Sequence, residues 1–153
     1  MKIDYSKLSK ETISIIEFFR YDSLTGLRLR KEFEQDIEER FDNSSFFLTL
    51  IDVNGLHNMN RLQGYFAGDS LIRGVVNTLK IRYPNGDLYK IGGDEFAIIS
   101  DGNQKCKTSK NFCAYSLNSE HYDTWEELFK DCDAGLIQEK ANFYKDKKTD
   151  RRR

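Results

Sequence analysis

The stretch Ile91-Gly92-Gly93-Asp94-Glu95-Phe96 lies between two short strand-like runs, Asp87-Leu88-Tyr89-Lys90 and Ala97-Ile98-Ile99. Two adjacent glycines here predict a tight hairpin turn, with positive φ available to both. They also leave the main chain bare enough for a polyphosphate to lie against it. Asp94 and Glu95 follow at the hairpin tip, where they would face a metal ion. Asp52 ends a separate apolar run, Phe46-Phe47-Leu48-Thr49-Leu50-Ile51. If the two strands are neighbours, three carboxylates meet at one sheet end. That donor set suits Mg²⁺ and nucleotide chemistry.

The bulk numbers narrow the class. A chain of 153 residues builds one compact core and hardly two. Its 39% hydrophobic and 32% charged residues are ordinary for a water-soluble globular protein. A formal net charge of -1 supplies no global field for nucleic acid or for a membrane surface. No apolar run is long enough to span a bilayer, and the N-terminus carries no signal-peptide pattern. Cys106, Cys113 and Cys132 are odd in number and lack metal-type spacing, which points to reduced thiols and a cytoplasmic location. His57 and His121 are too few and too far apart for a zinc site.

Periodicity places the elements. Ser9 to Phe19 reads as a short helix carrying Ile15, Phe18 and Phe19. Leu29, Phe33, Ile37 and Phe41 recur every four residues, the mark of an amphipathic helix. Phe46 to Val53 reads as a buried strand, and Asn58 to about Gln63 as a short helix. Gly64 interrupts that helix, and Gly68-Asp69-Ser70 offers an N-cap to the next, which shows Leu71, Val75 and Leu79 on one face. Asn111 to Leu117 reads as a strand. Thr124-Trp125-Glu126-Glu127 reads as a capping box opening a last helix to about Tyr144. The order predicts an α+β sandwich with a mostly antiparallel central sheet flanked by helices.

The hexapeptide resembles the signature of the GGDEF family, the diguanylate cyclases. Three more motifs extend the resemblance in the family's order. Asp22-Ser23-Leu24-Thr25-Gly26-Leu27 with Arg30 looks like its opening motif. Asp52 through Asp69 looks like its metal and base-binding segment, and Asp133-Ala134-Gly135-Leu136 with Lys140 like its closing helix. The likeness implies the palm-type fold of nucleotidyl cyclases over residues 21–145. It leaves 1–20 as an N-terminal helix and 146–153 as a basic, disordered tail. A helix that family members carry after the signature hairpin is expected to be missing, because Asp101 to Lys110 is too short and too polar for it.

The resemblance also implies roles. Asp52, the main-chain carbonyl of Val53, Asp94 and Glu95 would hold Mg²⁺ or Mn²⁺. Asp94 and Glu95 would be catalytic. Gly92 and Gly93 would admit the phosphates. Asn60 and Asp69 would read guanine, since a carboxylate accepts from N1–H and N2–H together. Lys140, at the end of the row Leu128, Cys132, Leu136, would meet GTP phosphates, with His57 and Lys145 near them. Each residue has a plainer reading when taken alone. Asp94-Glu95 suits a solvated turn, Asp69 a helix N-cap, Lys140 a side chain reaching for solvent. Arg30 and Asp22 read as structural, holding the opening loop against the sheet.

Several positions depart from the family pattern. His57 stands where members carry a phosphate-contacting lysine, and Tyr144 where they carry an arginine, with Lys145 beside it. Tyr83-Pro84-Asn85-Gly86 lacks the arginine and aspartate of the product-inhibition site. The implied activity is condensation of two GTP into cyclic di-GMP by a homodimer. Two alternatives stand beside it: a degenerate domain that binds GTP or another nucleotide and regulates a partner, and a palm-type synthase of another cyclic dinucleotide. About twenty residues precede the Asp22 motif, too few for a sensory domain. Control is therefore expected from dimerisation, expression or a regulatory protein partner, with no membrane or nucleic acid involved.

Overall fold

A computed structural model of the chain describes residues 4–102 and 106–150. The elements in order are α1 (Lys10–Arg20), β1 (Arg28–Leu29), α2 (Arg30–Asn43), β2 (Phe47–Val53), α3 (Leu56–Gln63), α4 (Tyr65–Arg82), β3 (Asp87–Lys90), β4 (Glu95–Ser100), β5 (Phe112–Asn118) and α5 (Trp125–Asp150). The five strands form one sheet in the order β1-β3-β4-β2-β5. Only β1 pairs in parallel, with β3, and the remaining pairs are antiparallel. The expected α+β architecture is thus observed. Among the described residues no helix separates β4 from β5. β5 takes the free side of β2 and becomes an edge strand.

The central strand β2 is buried from Leu48 to Val53, and its two faces feed two cores. Leu48 and Leu50 point to one side, where they meet Phe33 and Ile37 of α2 and Leu128, Cys132 and Leu136 of α5. Ile51 and Val53 point to the other, where they meet Ile72, Val75, Val76 and Leu79 of α4. This is period-2 alternation on a strand covered on both faces by helices of period near four. A side chain such as Phe33, 1% exposed, contributes about 1.5–3 kcal/mol by its burial. Parity also assigns Asp52 to the face of Leu48 and Leu50, beneath α5.

Local chemistry sets the helix ends. The Thr12 amide donates to Ser9 Oγ at 3.2 Å and so opens α1. Ile15, Phe18 and Phe19 of this helix face outward. The Glu127 amide donates to Thr124 Oγ1 at 3.3 Å and opens α5. The last helix does not stop at Tyr144. It runs to Asp150, so the stretch from 146, expected to be frayed, is helical that far. Residues 151–153 lie outside the described residues. The predicted N-cap at Gly68-Asp69-Ser70 is also corrected. α4 begins four residues earlier than Asp69, at Tyr65, because Gly64 at φ 87° makes the whole break between α3 and α4.

The opening loop is tied to the sheet by Asp22, which accepts from Lys90 Nζ at 3.1 Å and from Thr25 N and Oγ1 at 2.9 and 2.7 Å. Arg30 does not share that task, since it pairs with Glu34 on its own helix. Arg28 does instead. It bonds Asp36 and Asp87 and lies over the ring of buried Tyr89.

Gly135 lets α5 close on β5. A Cβ there would stand 2.2 Å from the Tyr115 ring. Gly and Val differ little in helix propensity, so Gly135→Val reads the clash itself. We expect a loss of about 1–3 kcal/mol in urea unfolding. In the Gly135→Val, Tyr115→Ala double variant the two losses should not add, since the second change opens the space the first needs.

Candidate functional site

Strand register builds the site. β2 and β4 run antiparallel with Asp52 opposite Glu95. One step on, the Val53 amide donates to the Asp94 carbonyl at 2.9 Å, extending the pairing to the hairpin tip. Glu95 shares the parity of Ala97 and Ile99, which face α5 as Leu48 and Leu50 do. Asp52 and Glu95 are therefore neighbours on one face, with Asp94 at the adjoining turn. The three predicted carboxylates do meet at one sheet end.

The turn differs from expectation in one respect. Neither Gly92 nor Gly93 has positive φ. Gly92 is needed for space, because a Cβ there would stand 2.3 Å from Glu95 Oε2. The Glu95 side chain folds back over the bare glycine. The amides of Ile91 and Gly92 both donate to the Glu95 carbonyl, at 3.0 and 3.2 Å, and close the turn.

Lys140 supplies the cation. Its row on α5 is buried at Leu128, Cys132 and Leu136, and the lysine emerges at Asp52, where Nζ donates to Oδ1 at 2.7 Å. Burial would lower the lysine pKa, but the bond to Asp52 and the field of Asp94 hold it above its ordinary value. Burial pushes the Asp52 carboxyl up, Lys140 pulls it back, and the charge of Asp94 adds to the rise. Glu95 is exposed at the start of β4, and partial desolvation raises its pKa, followed by the charges of Asp94, Asp52 and Asp133. Negative charge exceeds positive at this sheet end, which is the electrostatic condition for a divalent cation.

Among the described residues, however, no three His, Cys, Asp or Glu side chains close into a ready coordination sphere. Lys140 occupies Asp52, and Glu95 lies over Gly92. The donor types fit Mg²⁺ or Mn²⁺, both oxygen-seeking ions. Their assembly around an ion requires those two side chains to turn.

The predicted base-reading pair sits where α3 meets α4. Asn60 Oδ1 is buried with no hydrogen-bond partner. A Cβ at Gly68 would stand 1.7 Å from that oxygen, so Gly68 makes the room that Asn60 fills. Asp69, next along α4, is half-buried and enters none of the hydrogen bonds or ion pairs among the described residues. Both residues thus hold unspent acceptor capacity. His57 is exposed on the first turn of α3, and Lys145 is exposed on α5.

Sequence reasoning gave no role to two contributors. Asn54 is buried, accepts from Cys113 Sγ at 3.2 Å, and donates to the carbonyls of Ser109 and Lys110, both at 3.4 Å. It anchors the loop before β5 to the end of β2. Asp133 raises Glu95 from α5, and its spacing of seven residues from Lys140 placed the two on one helix face.

Antiparallel strands that carry acids to their paired ends, under a lysine from the covering helix, describe a palm-type domain. The chain belongs to the GGDEF family: the family described as "Diguanylate cyclase, GGDEF domain" matches residues 19–119. Escherichia coli (strain K12) probable diguanylate cyclase DgcI is 37% identical over 83 residues, 53% of this chain and 19% of that protein. The chain thus spans about a fifth of that relative's length. The coiled coil and GGDEF domain of Caulobacter crescentus DgcB, crystallised with c-di-GMP, superposes with TM-score 0.76 over 91% of this chain and 90% of that one, at 16% identity. Pseudomonas aeruginosa diguanylate cyclase SiaD, crystallised with its activator SiaC, gives 0.71 over 86% and 62%, also at 16% identity. No helix among the described residues is long and apolar enough to cross a membrane.

The raised Glu95 pKa means that the ionised side chain opposes folding. A native pKa above the unfolded one adds stability only at low pH, and the penalty appears as pH rises through the native value. Glu95→Gln should therefore raise the melting temperature at pH 7 in chelator. The gain should vanish below about pH 4, where both states of the wild type carry the proton. Thermal melts at the two pH values check this.

Proposed function

We propose that this chain is a diguanylate cyclase. In each half-reaction a ribose 3′-oxygen of one GTP attacks the α-phosphorus of the other. The new P–O bond forms as the bond to pyrophosphate breaks, and the hydroxyl proton passes to water. Two such steps convert two GTP into cyclic di-GMP and two pyrophosphates. The observation that supports this most is the pairing of Asp52 with Glu95 beside Asp94 at one sheet end.

Asp52, Asp94, Glu95 and the Val53 carbonyl would hold Mg²⁺ or Mn²⁺. Bound there, the ion would lower the pKa of the attacking hydroxyl and neutralise phosphate charge. Lys140 would exchange its bond with Asp52 for one with a phosphate oxygen. Asp69 and Asn60 would take the guanine edge with acceptors that are unspent in the structure. The bare main chain at Gly92 and Gly93 would let the phosphates approach. One site presents one nucleotide, so two copies would face each other in the active state. The SiaD–SiaC complex makes control by a protein partner a natural extension. We place the reaction in the cytoplasm, with its GTP.

A second reading has its own support. Lys140 neutralises Asp52, Tyr144 stands where the resemblance implies an arginine, and no helix separates β4 from β5 among the described residues. These features favour a domain that binds a guanine nucleotide and signals to a partner without turnover.

Incubation of purified protein with GTP and Mg²⁺ or Mn²⁺, followed by chromatography, separates the readings. Cyclic di-GMP is expected, and Asp94→Ala should abolish it. GTP binding without product would move the assignment to the regulatory reading. A mixed dinucleotide formed from ATP and GTP would move it to a related synthase. Asp69→Asn should weaken GTP binding about tenfold or more, since it removes a charged acceptor from the base. Weakened ATP binding by the same factor would show that Asp69 does not read guanine.

A further inference from the structure

A cavity of about 410 Å³ lies between the loop after β2 and the last turns of α5. Its size falls within the range of small-ligand sites, roughly 300–1,000 Å³. Its wall starts at Asn54 and Gly55, two and three residues beyond Asp52. Lys110 closes one side from the loop before β5, and Tyr144, Lys147 and Lys148 close the other.

The charge of this wall is one-sided. The whole chain has 24 lysines and arginines against 25 acids, yet among the described residues three lysines and no acid line the cavity. Among the described residues, none of the three lysines lies in an ion pair with a carboxylate. Two are held in place. The Lys110 carbonyl accepts from Asn54, which fixes its loop. The Lys147 ammonium lies 4.5 Å from the centre of the Phe143 ring. All three lysines are exposed, so water and salt screen their mutual repulsion, and with no fixed counter-ion they are available to one anion that reaches all three. Lys140 cannot serve here without giving up Asp52, and Lys145 is absent from the lining.

We propose that Lys110, Lys147 and Lys148 grip the terminal phosphates of a nucleoside triphosphate whose α-phosphate sits at the carboxylate end. The identity of the nucleotide rests on the GTP reading above. Lys147 and Lys148 lie beyond residues 19–119, the span that matches the family, and reach the cavity only because α5 continues past Tyr144. The chain thereby moves its phosphate-binding cations about one helical turn along α5. The ligand class is a polyphosphate, and the site distinguishes tri- from monophosphate.

Calorimetry on wild type, the Lys147→Gln, Lys148→Gln double variant and Lys110→Gln tests this. The probes are a GTP analogue with a methylene between the α- and β-phosphorus, GMP, and inorganic tripolyphosphate. The double variant should bind the analogue and tripolyphosphate about tenfold more weakly, with GMP affinity unchanged and a shallower salt dependence. Lys110→Gln should show the same pattern at about threefold. Circular dichroism melts check folding, and Lys148→Gln alone replaces the double variant if loss of the Phe143 stack lowers its melting point. Equal affinity of wild type and variants for the analogue overturns the proposal while leaving the GTP reading intact. If wild type binds neither GMP nor the analogue, the GTP reading fails. Tripolyphosphate binding that the variants lose would then still uphold the lysine site, and its absence in wild type would overturn that too.

Discussion

The pairing of β2 with β4 is the constraint on which the site depends. Its register sets Asp52 opposite Glu95 and brings the amide of Val53 to the carbonyl of Asp94. A slip of β2 by one residue would turn Asp52 to the other face, away from Glu95, and drive Leu48 and Leu50 away from α2 and α5. The register that fills the core is therefore the register that assembles the acids. Two cores, one on each face of β2, leave the strand no cheap alternative.

That arrangement concentrates charge where the fold does not favour it. Asp52 is 8% exposed, and burial together with Asp94 disfavours its ionised form. Glu95 is disfavoured in the same way, with Asp133 adding to the effect. Lys140 offsets part of the imbalance, at the end of a helix row whose other members are buried. Locally unfavourable charge held by a well-packed scaffold is the usual physical signature of a site prepared for a ligand. The unspent acceptor of Asn60 and the lysine cavity, with no acid among its described lining residues, are two further cases in this chain. Each includes a residue at the end of β2 or just beyond it: Asp52, Asn60 and Asn54 respectively.

Much of this is legible in the sequence. The glycine-glycine-acid-acid hairpin, the acid closing the strand 46–53, and the helix of Phe33, Ile37 and Phe41 follow from period and turn chemistry, whereas Leu29, expected in that helix, pairs with Lys90 in β1. The boundaries that failed did so for stated reasons. Gly64 ends one helix and admits the next without a spacer, so Asp69 falls inside α4 rather than at its cap. α5 passes Tyr144 because its later residues are polar rather than helix-breaking, and polarity alone does not stop a helix. Arg28 rather than Arg30 braces the opening loop, a choice made by Tyr89 and Asp87, both some sixty residues distant in the chain.

The sequence by itself determined the element types, the family, and which acids and lysines were candidates, because periodicity, turn residues and motif order are local properties. Tertiary structure alone decided partnership. It placed β5 against β2, directed Lys140 onto Asp52, gave Asn60 its space at Gly68, and carried Lys147 and Lys148 to the wall that Asn54 and Lys110 share. Each of these joins residues far apart or on different elements. Such a contact is fixed by how whole faces pack, which no short window of the chain contains.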